Sequence, residues 1–161
     1  MRVVLATIGY ESACLEDFVA TLLAASISKL VDVRELPISR RKGFAKKALS
    51  AAVESAGISY IHLGGLGDPK EGREAARAGD LKRFLRIFSR HLRAPEAQAD
   101  LARAVELTAS GGACLMCYER TPDECHRNLV ADAISARIGN LSVRHLGVRH
   151  GLAATQPNDR V

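Results

Sequence analysis

Hydrophobic residues along this chain alternate between short continuous runs and stripes at helical spacing. Short apolar runs bounded by polar or glycine-containing segments predict buried strands. They cover residues 2–8, 30–34, 58–63, 113–117 and 141–146. Between these runs, apolar side chains recur with the period of a helix, as Leu15, Phe18 and Leu22 do after the first run. The alternation predicts a three-layer α/β fold, with a mainly parallel five-stranded sheet and helices on both faces.

Helical periodicity predicts a helix after each of the first four strands. It predicts one more helix directly before the fourth strand. These helices cover residues 15–23, 44–56, 81–92, 96–109 and 121–138. Gly57 ends the second of them, and the Gly111-Gly112 pair ends the fourth. Glycine and charged residues dominate residues 64–79, which predicts an irregular loop there.

A chain of 161 residues is long enough to form one well-buried core. We therefore expect a single domain over residues 1–150 and a flexible tail over residues 151–161. No apolar run reaches the length of a membrane span, and the first residues lack the cleavage pattern of a signal peptide. These features predict a cytoplasmic protein that does not enter a membrane, with its four cysteines reduced.

Basic residues outnumber acidic ones and give the chain a net charge of +5. They are concentrated in residues 34–47 and 73–93. Such clusters attract phosphates and other anions without selecting one of them. A basic surface that is merely solvated explains the same pattern.

In a parallel sheet of this class the carboxyl ends of the strands meet at one edge, where ligands bind. The polar or chemically versatile residues at these predicted strand ends are Thr7, Gly9, Asp32, Arg34, His62, Cys117, Glu119 and His145. We therefore expect a site at this edge. Asp32 and Arg34 are either a strand-end ion pair or an acid–base group beside an anion anchor. His62 is a core histidine, a base or a metal ligand.

The segment 117–127, CYERTPDECHR, joins the fourth predicted strand to the last predicted helix. Thr121 and Glu124, with a proline between them, form a capping pattern typical of a helix start. Because a helix N-terminus attracts anions through its free amides, His126 and Arg127 would meet an anionic ligand there. Alternatively, Arg127 pairs with the acidic residues of the same turn.

Cys117 ends the fourth predicted strand, close to this helix start and to several arginines. These surroundings lower the pKa of a thiol and make it a better nucleophile. The alternative is an inert cysteine at the edge of the core. Cys125 is either a small buried hydrophobic residue or a second redox or metal-binding sulfur.

Several short motifs follow one another along the chain, and the most specific is C-x-E-x-x-P-x-x-C-H-R at residues 117–127. The others are Thr7-Ile8-Gly9-Tyr10, Val31-Asp32-Val33-Arg34, Tyr60-Ile61-His62-Leu63 and Leu66-Gly67. Together they resemble the DUF488 family, a bacterial and archaeal group named for its lack of an assigned function. The resemblance implies an α/β fold and a site at the strand ends, and it implies no substrate. One departure is Glu11, which separates Tyr10 from a serine that commonly follows directly in the family.

Three functional hypotheses follow from these residues. The favoured one is a small enzyme acting on an anionic, phosphate- or nucleotide-like ligand at the carboxyl edge of the sheet. Its expected catalytic residues are Cys117, Glu119, His126, Asp32 and His62, and its expected ligand-binding residues are Thr7, Gly9, Arg34, Arg40 and Arg127.

The second hypothesis is a nucleic-acid or nucleotide-binding module without catalysis, using residues 34–47 and 73–93. The third is a metal-dependent site drawn from Cys117, Cys125, His126 and His62, although their spacing matches no standard metal motif. A weaker similarity to rhodanese-like domains would add sulfur transfer, but the glycine-containing loop of those domains does not follow Cys117. The sequence identifies no cofactor and no oligomeric state.

Overall fold

The computed structural model describes residues 2–121 and 126–155. Its strands are β1 (Val3–Gly9), β2 (Lys29–Asp32), β3 (Ser59–His62), β4 (Ala113–Cys117) and β5 (Leu141–Leu146). Its helices are α1 (Leu15–Ala24), α2 (Lys46–Ser55), α3 (Lys70–Arg77), α4 (Leu81–Leu92), α5 (Pro95–Ala109), α6 (Arg127–Ser135) and α7 (Leu152–Thr155), with a 3₁₀ turn at Gly64–Leu66. None of the helices within the described ranges is long and apolar enough to cross a membrane.

The sheet has the strand order β3-β2-β4-β1-β5, and every pair of neighbouring strands is parallel. From β1 the chain moves outward through β2 to β3, returns to the centre at β4 and then crosses to β5. The direction of winding therefore reverses between the adjacent strands β1 and β4. In open parallel sheets a ligand crevice forms outside the carboxyl ends at such a reversal.

Helices cover both faces of the sheet, because side chains that alternate along each strand point to opposite sides. On one face, Ile8, Leu30 and Met116 pack with buried side chains of α1 and α2. On the other, Leu5 and Leu115 pack with buried side chains of α3 to α6. The predicted three-layer architecture with a five-stranded sheet is confirmed.

The predicted elements agree with the structure most closely where the apolar run is sharply bounded. The strands predicted at residues 113–117 and 141–146 are found with those bounds. β2 ends at Asp32, two residues earlier than predicted. The reason is local, since an Asp32 side-chain oxygen accepts the backbone N–H of Arg34 at 3.1 Å and turns the chain.

The loop predicted over residues 64–79 is largely helical, and that prediction is wrong. The segment contains the 3₁₀ turn and α3. Ala75 is fully buried in the core, and α3 packs along α4. Tertiary packing stabilises a helix here despite a glycine and many charged residues, which local composition alone disfavours.

The segment after residue 150 contains the short helix α7. Asp17 of α1 accepts the backbone N–H groups of Gly151 at 2.7 Å and of Ala153 at 3.0 Å. These two bonds satisfy free amides at the start of α7, and Leu152 is buried beside them. The flexible tail predicted from residue 151 is therefore helical over residues 152–155, and residues 156–161 lie outside the described part.

Gly9 lets the chain that leaves β4 pass directly over the end of β1. A Cβ atom at this position would lie 1.8 Å from the carbonyl oxygen of Glu119 and 2.9 Å from the backbone nitrogen of Arg120. Just beyond it, the N–H of Tyr10 donates to the carbonyl oxygen of Cys117 at 3.2 Å. The missing side chain thus allows the two central strands to continue pairing at the edge where they end.

We predict that Gly9→Ala lowers the free energy of unfolding by about 1–3 kcal/mol, because the backbone at Glu119 must move to admit the methyl group. Urea denaturation of the two proteins would measure this difference. Gly139→Ala is the matched control, since a Cβ there meets nothing within 4 Å and its φ is not positive. We expect the control to change stability by less than about 0.5 kcal/mol. Equal effects of the two substitutions would contradict the role given to Gly9.

Candidate functional site

A cavity of about 710 Å³ opens at the carboxyl edge of the sheet. Its buried lining side chains that carry oxygen, nitrogen or sulfur atoms, called here the inner end, are Tyr10, Arg34, Asp68, Cys117 and His126. Its exposed lining residues, called here the rim, are Leu36, Ile38, Ala76, Arg77, Gly79, Leu81 and Tyr118. The cavity therefore combines a polar interior with a largely apolar mouth, as small-molecule sites commonly do.

A buried ion pair between Asp32 and Arg34 supports the inner end. Arg34 Nη2 donates to Asp32 Oδ2 at 2.7 Å and Nε donates to Oδ1 at 2.9 Å. Arg34 Nη1 donates to the hydroxyl of Tyr10 at 3.2 Å and to the carbonyl oxygen of Phe44 at 2.7 Å. Burial opposes the charged form of Arg34, but the paired carboxylate of Asp32 raises its pKa above the ordinary value. The guanidinium thus spends four of its hydrogen bonds on the protein itself.

β3 completes the surroundings of this ion pair. The hydroxyl of Tyr60 donates to Asp32 Oδ2 at 2.5 Å. Burial and this bond raise the pKa of Tyr60. His62 Nε2 lies 2.8 Å from the carbonyl oxygen of Arg34, which fits an Nε2–H tautomer that donates to it. Asp32 is fully buried and His62 does not line the cavity, so their catalytic roles stay predictions, and their contacts are those of positioning residues.

Cys117 brings the sulfur atom to the inner end. It is 1% exposed, and the structure has it in a disulfide, whereas Cys14 and Cys114 are free thiols. Arg127 Nη1 lies 3.1 Å from its Sγ atom, and Glu119 Oε2 lies 3.7 Å from it. The expectation that all cysteines are reduced does not hold for Cys117 here, because sulfur pairing depends on tertiary proximity that spacing does not reveal.

Arg127 is fully buried and contacts the backbone that follows β4. Its Nη1 donates to the carbonyl oxygen of Glu119, and its Nη2 donates to that of Arg120 at 3.1 Å. These bonds hold the segment that crosses Gly9. The side chain does not line the cavity, so the ligand contact expected of Arg127 stays a prediction.

His126 lines the cavity from the start of α6. Its Nε2 lies 2.6 Å from the carbonyl oxygen of Val33, and its ring meets that of Phe88 edge to face at 5.5 Å. Burial lowers the pKa of His126 to about 4, although the Val33 carbonyl opposes this shift. The imidazole is therefore neutral at pH 7.

A second polar group at the inner end comes from the segment before α3. Asp68 is 6% exposed and lines the cavity beside Glu35 and Arg73. Arg73 Nη1 donates to Glu35 Oε1 at 2.8 Å and to the backbone carbonyl of Asp68 at 2.7 Å. Burial raises the pKa of Asp68 to about 7, and the carboxylates of Glu119 and Glu35 add to the rise while Arg73 opposes it. This carboxyl group titrates near neutral pH, as acid–base residues of active sites do.

The family model described as a domain of unknown function, DUF488, matches residues 14–134. The chain belongs to the DUF488 family. No match to it was found among curated proteins or among solved structures. The resemblance noted in the sequence is thus confirmed at the level of the family.

In this DUF488 domain the described part of the C-x-E-x-x-P-x-x-C-H-R segment converges on one place. Cys117, Glu119 and His126 line the cavity, and Arg127 contacts the first two from behind. Pro122 and Cys125 of the segment lie outside the described residues, as does most of the predicted capping box. The capped helix start therefore stays a prediction.

Three other predicted ligand-binding residues lie away from the cavity lining. Thr7 is buried, and its Oγ1 lies 2.5 Å from Nδ1 of His145 on the neighbouring strand. Gly9 is covered by the backbone of Glu119. Arg40 is exposed in the connection between β2 and α2. Their ligand contacts stay predictions.

Sequence reasoning missed Asp68, Arg73 and Tyr10 as residues of this DUF488 site. Asp68 follows the Leu66-Gly67 motif directly and precedes a proline at a helix start, a pattern that could have drawn attention to it. It was missed because this stretch was predicted as an irregular loop.

The metal-dependent hypothesis finds no support within residues 2–121 and 126–155. No group of three or more His, Cys, Asp or Glu side chains placed to hold a metal ion occurs there. Cys125, one of the proposed ligands, lies outside these ranges, and the hypothesis stays a prediction.

We predict that Asp32→Asn lowers the free energy of unfolding by about 3–5 kcal/mol, because it leaves the Arg34 guanidinium buried without its counter-charge. Tyr60→Phe is the matched comparison, since it removes one neutral donor to the same carboxylate and should cost only about 1 kcal/mol. Urea unfolding at pH 7 would measure both. If Asp32→Asn proved no worse than Tyr60→Phe, the ion pair would not be the main support of the inner end.

Proposed function

We propose that this DUF488 protein is a small thiol-dependent enzyme that acts on a small molecule bound in the cavity, with the Cys117 sulfur as the reacting atom. The observation that carries the proposal is the position of this sulfur. It lines the inner end of the cavity, 3.1 Å from the Arg127 guanidinium.

The surroundings of Cys117 favour the thiolate once its disulfide has been reduced. A guanidinium at hydrogen-bond distance stabilises the negative sulfur and lowers the pKa of the thiol. The carboxylate of Glu119, with Oε2 3.7 Å away, opposes part of this effect and is placed to take the thiol proton. The reduced form would therefore combine a nucleophile with a neighbouring base.

The disulfide state of Cys117 fits the same proposal. Reduction by a cellular dithiol, which supplies two electrons and is itself oxidised, releases the Cys117 thiol. The reduced protein then presents a thiolate that faces the cavity. His126 is neutral at pH 7 and donates to the Val33 carbonyl, so proton transfer through its Nε2 would first have to break that bond.

An anionic ligand, as expected from the sequence, would find its positive partner at the rim. Arg77 is exposed and lines the mouth of the cavity, whereas Arg34 and Arg127 are engaged by the protein. The volume of about 710 Å³ suits a drug-sized or nucleoside-sized molecule.

We predict that reduced Cys117 is alkylated at least about tenfold faster than Cys14 at pH 7. A fall of one unit in thiol pKa raises the thiolate fraction about tenfold, and Cys14 is an exposed free thiol without a neighbouring guanidinium contact among the described residues. Timed iodoacetamide labelling of the reduced protein, read by peptide mass spectrometry, would give both rates in one sample.

Buried Cys114 is the internal negative control of the same labelling, because burial raises its pKa and it packs in the core. Cys117→Ser should remove the fast-reacting thiol without changing the labelling of Cys14. If Cys117 reacted no faster than Cys14, its role as the nucleophile would have to be abandoned.

One observation favours a second candidate function, a nucleic-acid-binding module. The exposed face of α4 contains basic residues and no acidic ones, and the helix starts at Leu81 on the rim. These residues are Lys82, Arg83, Arg86 and Arg90. A stripe of this kind binds phosphates with a strong dependence on salt.

For this candidate we predict that a single-stranded RNA binds with an affinity that falls steeply with salt. Reversing three charges on α4 should reduce the slope of log K against log salt by about 2, since each lost phosphate contact on a single strand contributes about 0.7. The variant is Arg83→Glu, Arg86→Glu, Arg90→Glu. Its control, with the same change in net charge away from α4, is Arg103→Glu, Arg137→Glu, Arg144→Glu. Binding that is flat with salt, or weakened equally by both variants, would remove the candidate.

A further inference from the structure

The carboxyl group of Asp68 is the one polar group of the inner end that no described residue satisfies. Its residue is 6% exposed, and its Oδ1 atom is buried without a hydrogen-bond partner. A buried carboxyl oxygen without a donor is unfavourable. Oδ1 packs against Gly72 of α3, and the residue as a whole lines the cavity, so a ligand there can approach this incompletely bonded carboxyl group.

The neighbouring guanidinium groups are directed elsewhere. Arg73 Nη1 donates to Glu35 Oε1 and to the backbone carbonyl of Asp68, and no described residue donates to the carboxyl group of Asp68. Arg34 donates to Asp32, to the hydroxyl of Tyr10 and to the carbonyl oxygen of Phe44. The protein thus holds Asp68 in place through its backbone and leaves its side chain for another partner.

Backbone packing brings this carboxyl group to its position. Gly72 of α3 lies so close that a Cβ there would be 2.0 Å from Asp68 Oδ1. Only a glycine at this turn of the helix lets the carboxyl group fit against α3. The contact explains a helical glycine that otherwise disfavours the helix.

The charges that face Asp68 select the sign of its partner. Glu35 and Glu119 act on it as neighbouring carboxylates and Arg73 as the only opposing cation among the described groups that affect it. Together with Asp68 itself, these groups are three carboxylates and one guanidinium. Such surroundings attract a hydrogen-bond donor or a cation and repel an anion. The pKa of Asp68, raised to about 7, agrees with this unbalanced negative surrounding.

The walls leading outward from Asp68 are apolar. Leu36 and Ile38 after β2, Leu81 and Phe84 of α4, and Tyr118 line the cavity on the way to solvent. Leu36, Ile38 and Leu81 are each more than half exposed, which is unusual for side chains of their size. An apolar body would cover them when its polar end reaches the inner end.

We propose that the inner end binds the nitrogen donor group of a small molecule with an apolar body, such as an amidine, an aromatic amine or the N–H edge of a heterocycle, and that the Asp68 carboxylate accepts its hydrogen bond. The proposal deepens the proposed function, since it names the substrate class of the same cavity and rests on that cavity being the active site. It also separates the two ends of the ligand: the donor lies inside, and any anionic group lies at the rim.

Benzamidine and benzoate test this assignment, because they share one aromatic body and differ in the charge and donor character of the head group. We expect benzamidine to bind with shifts of the Asp68 and Arg73 amide signals in NMR titrations, and to bind at least tenfold more tightly than benzoate at pH 8. Its affinity should rise about tenfold from pH 6 to pH 8, because the amidinium requires the ionised form of a carboxyl group with a pKa of about 7.

Asp68→Asn keeps the shape of the side chain and removes its charge, and it should weaken benzamidine at least tenfold and flatten the pH dependence. Asp132→Asn is the matched control, since it makes the same change at an exposed position on α6 and should leave binding unaltered. Gly72→Ala is a second route, which displaces the carboxyl group while improving the helix, and it too should weaken benzamidine.

Tighter binding of benzoate than of benzamidine at pH 8, or full benzamidine affinity in both Asp68→Asn and Gly72→Ala, would overturn the proposal. Benzamidine binding and the alkylation rate of Cys117 are measured separately on the same unmodified chain, so the failure of one proposal is distinguishable from the failure of the other. If benzamidine binds but Cys117 is unreactive, the donor-binding site is supported and only the thiol chemistry is contradicted. If Cys117 is reactive but benzamidine does not bind, the thiol chemistry is supported and the donor-binding site is contradicted.

Discussion

The buried ion pair between Asp32 and Arg34 is the interaction on which the rest of the site depends. A buried pair is tolerated only when its remaining hydrogen-bonding groups are satisfied. Here three residues supply those bonds. They are Tyr60 of β3, Tyr10 in the connection from β1 to α1 and Phe44 in the connection from β2 to α2. The pair therefore ties three separate parts of the chain to the end of β2.

The backbone between and after the two charged residues extends this arrangement. The carbonyl of Val33 accepts from His126 at the start of α6, and the carbonyl of Arg34 meets His62 at the end of β3. Helix and strand ends on both sides are thus positioned by a stretch of three residues. Burying two charges costs free energy, and the attraction between them and their hydrogen bonds offset it. The same hydrogen bonds hold the cavity walls in place. They also leave Asp32 and Arg34 little capacity to bind a ligand.

This use of arginine changes the electrostatic character expected of the site. Arg34 neutralises Asp32, Arg127 holds the backbone that crosses Gly9, and Arg73 pairs with Glu35. Besides Tyr10 and the paired Arg34, the inner end then presents a sulfur atom, a neutral imidazole and the carboxyl group of Asp68 to the cavity. A chain that is basic as a whole thus has an active-site candidate whose interior is acidic, because net charge says nothing about which charges are already paired.

Local sequence pattern by itself determined where the strands and most helices lie along the chain, and it predicted that Cys117, Glu119 and His126 lie at one edge of the sheet. Periodicity suffices for this, since alternation and helical spacing are properties of neighbouring residues, and parallel strands share one carboxyl edge. Only the tertiary structure decided which polar groups bond to the protein itself and which face the cavity. Whether Arg127 meets a ligand or the carbonyl of Glu119, and whether Asp68 lies in a loop or against α3, depends on partners distant in the chain. Hydrogen-bond partners and burial are set by packing between elements, and no local pattern carries that information.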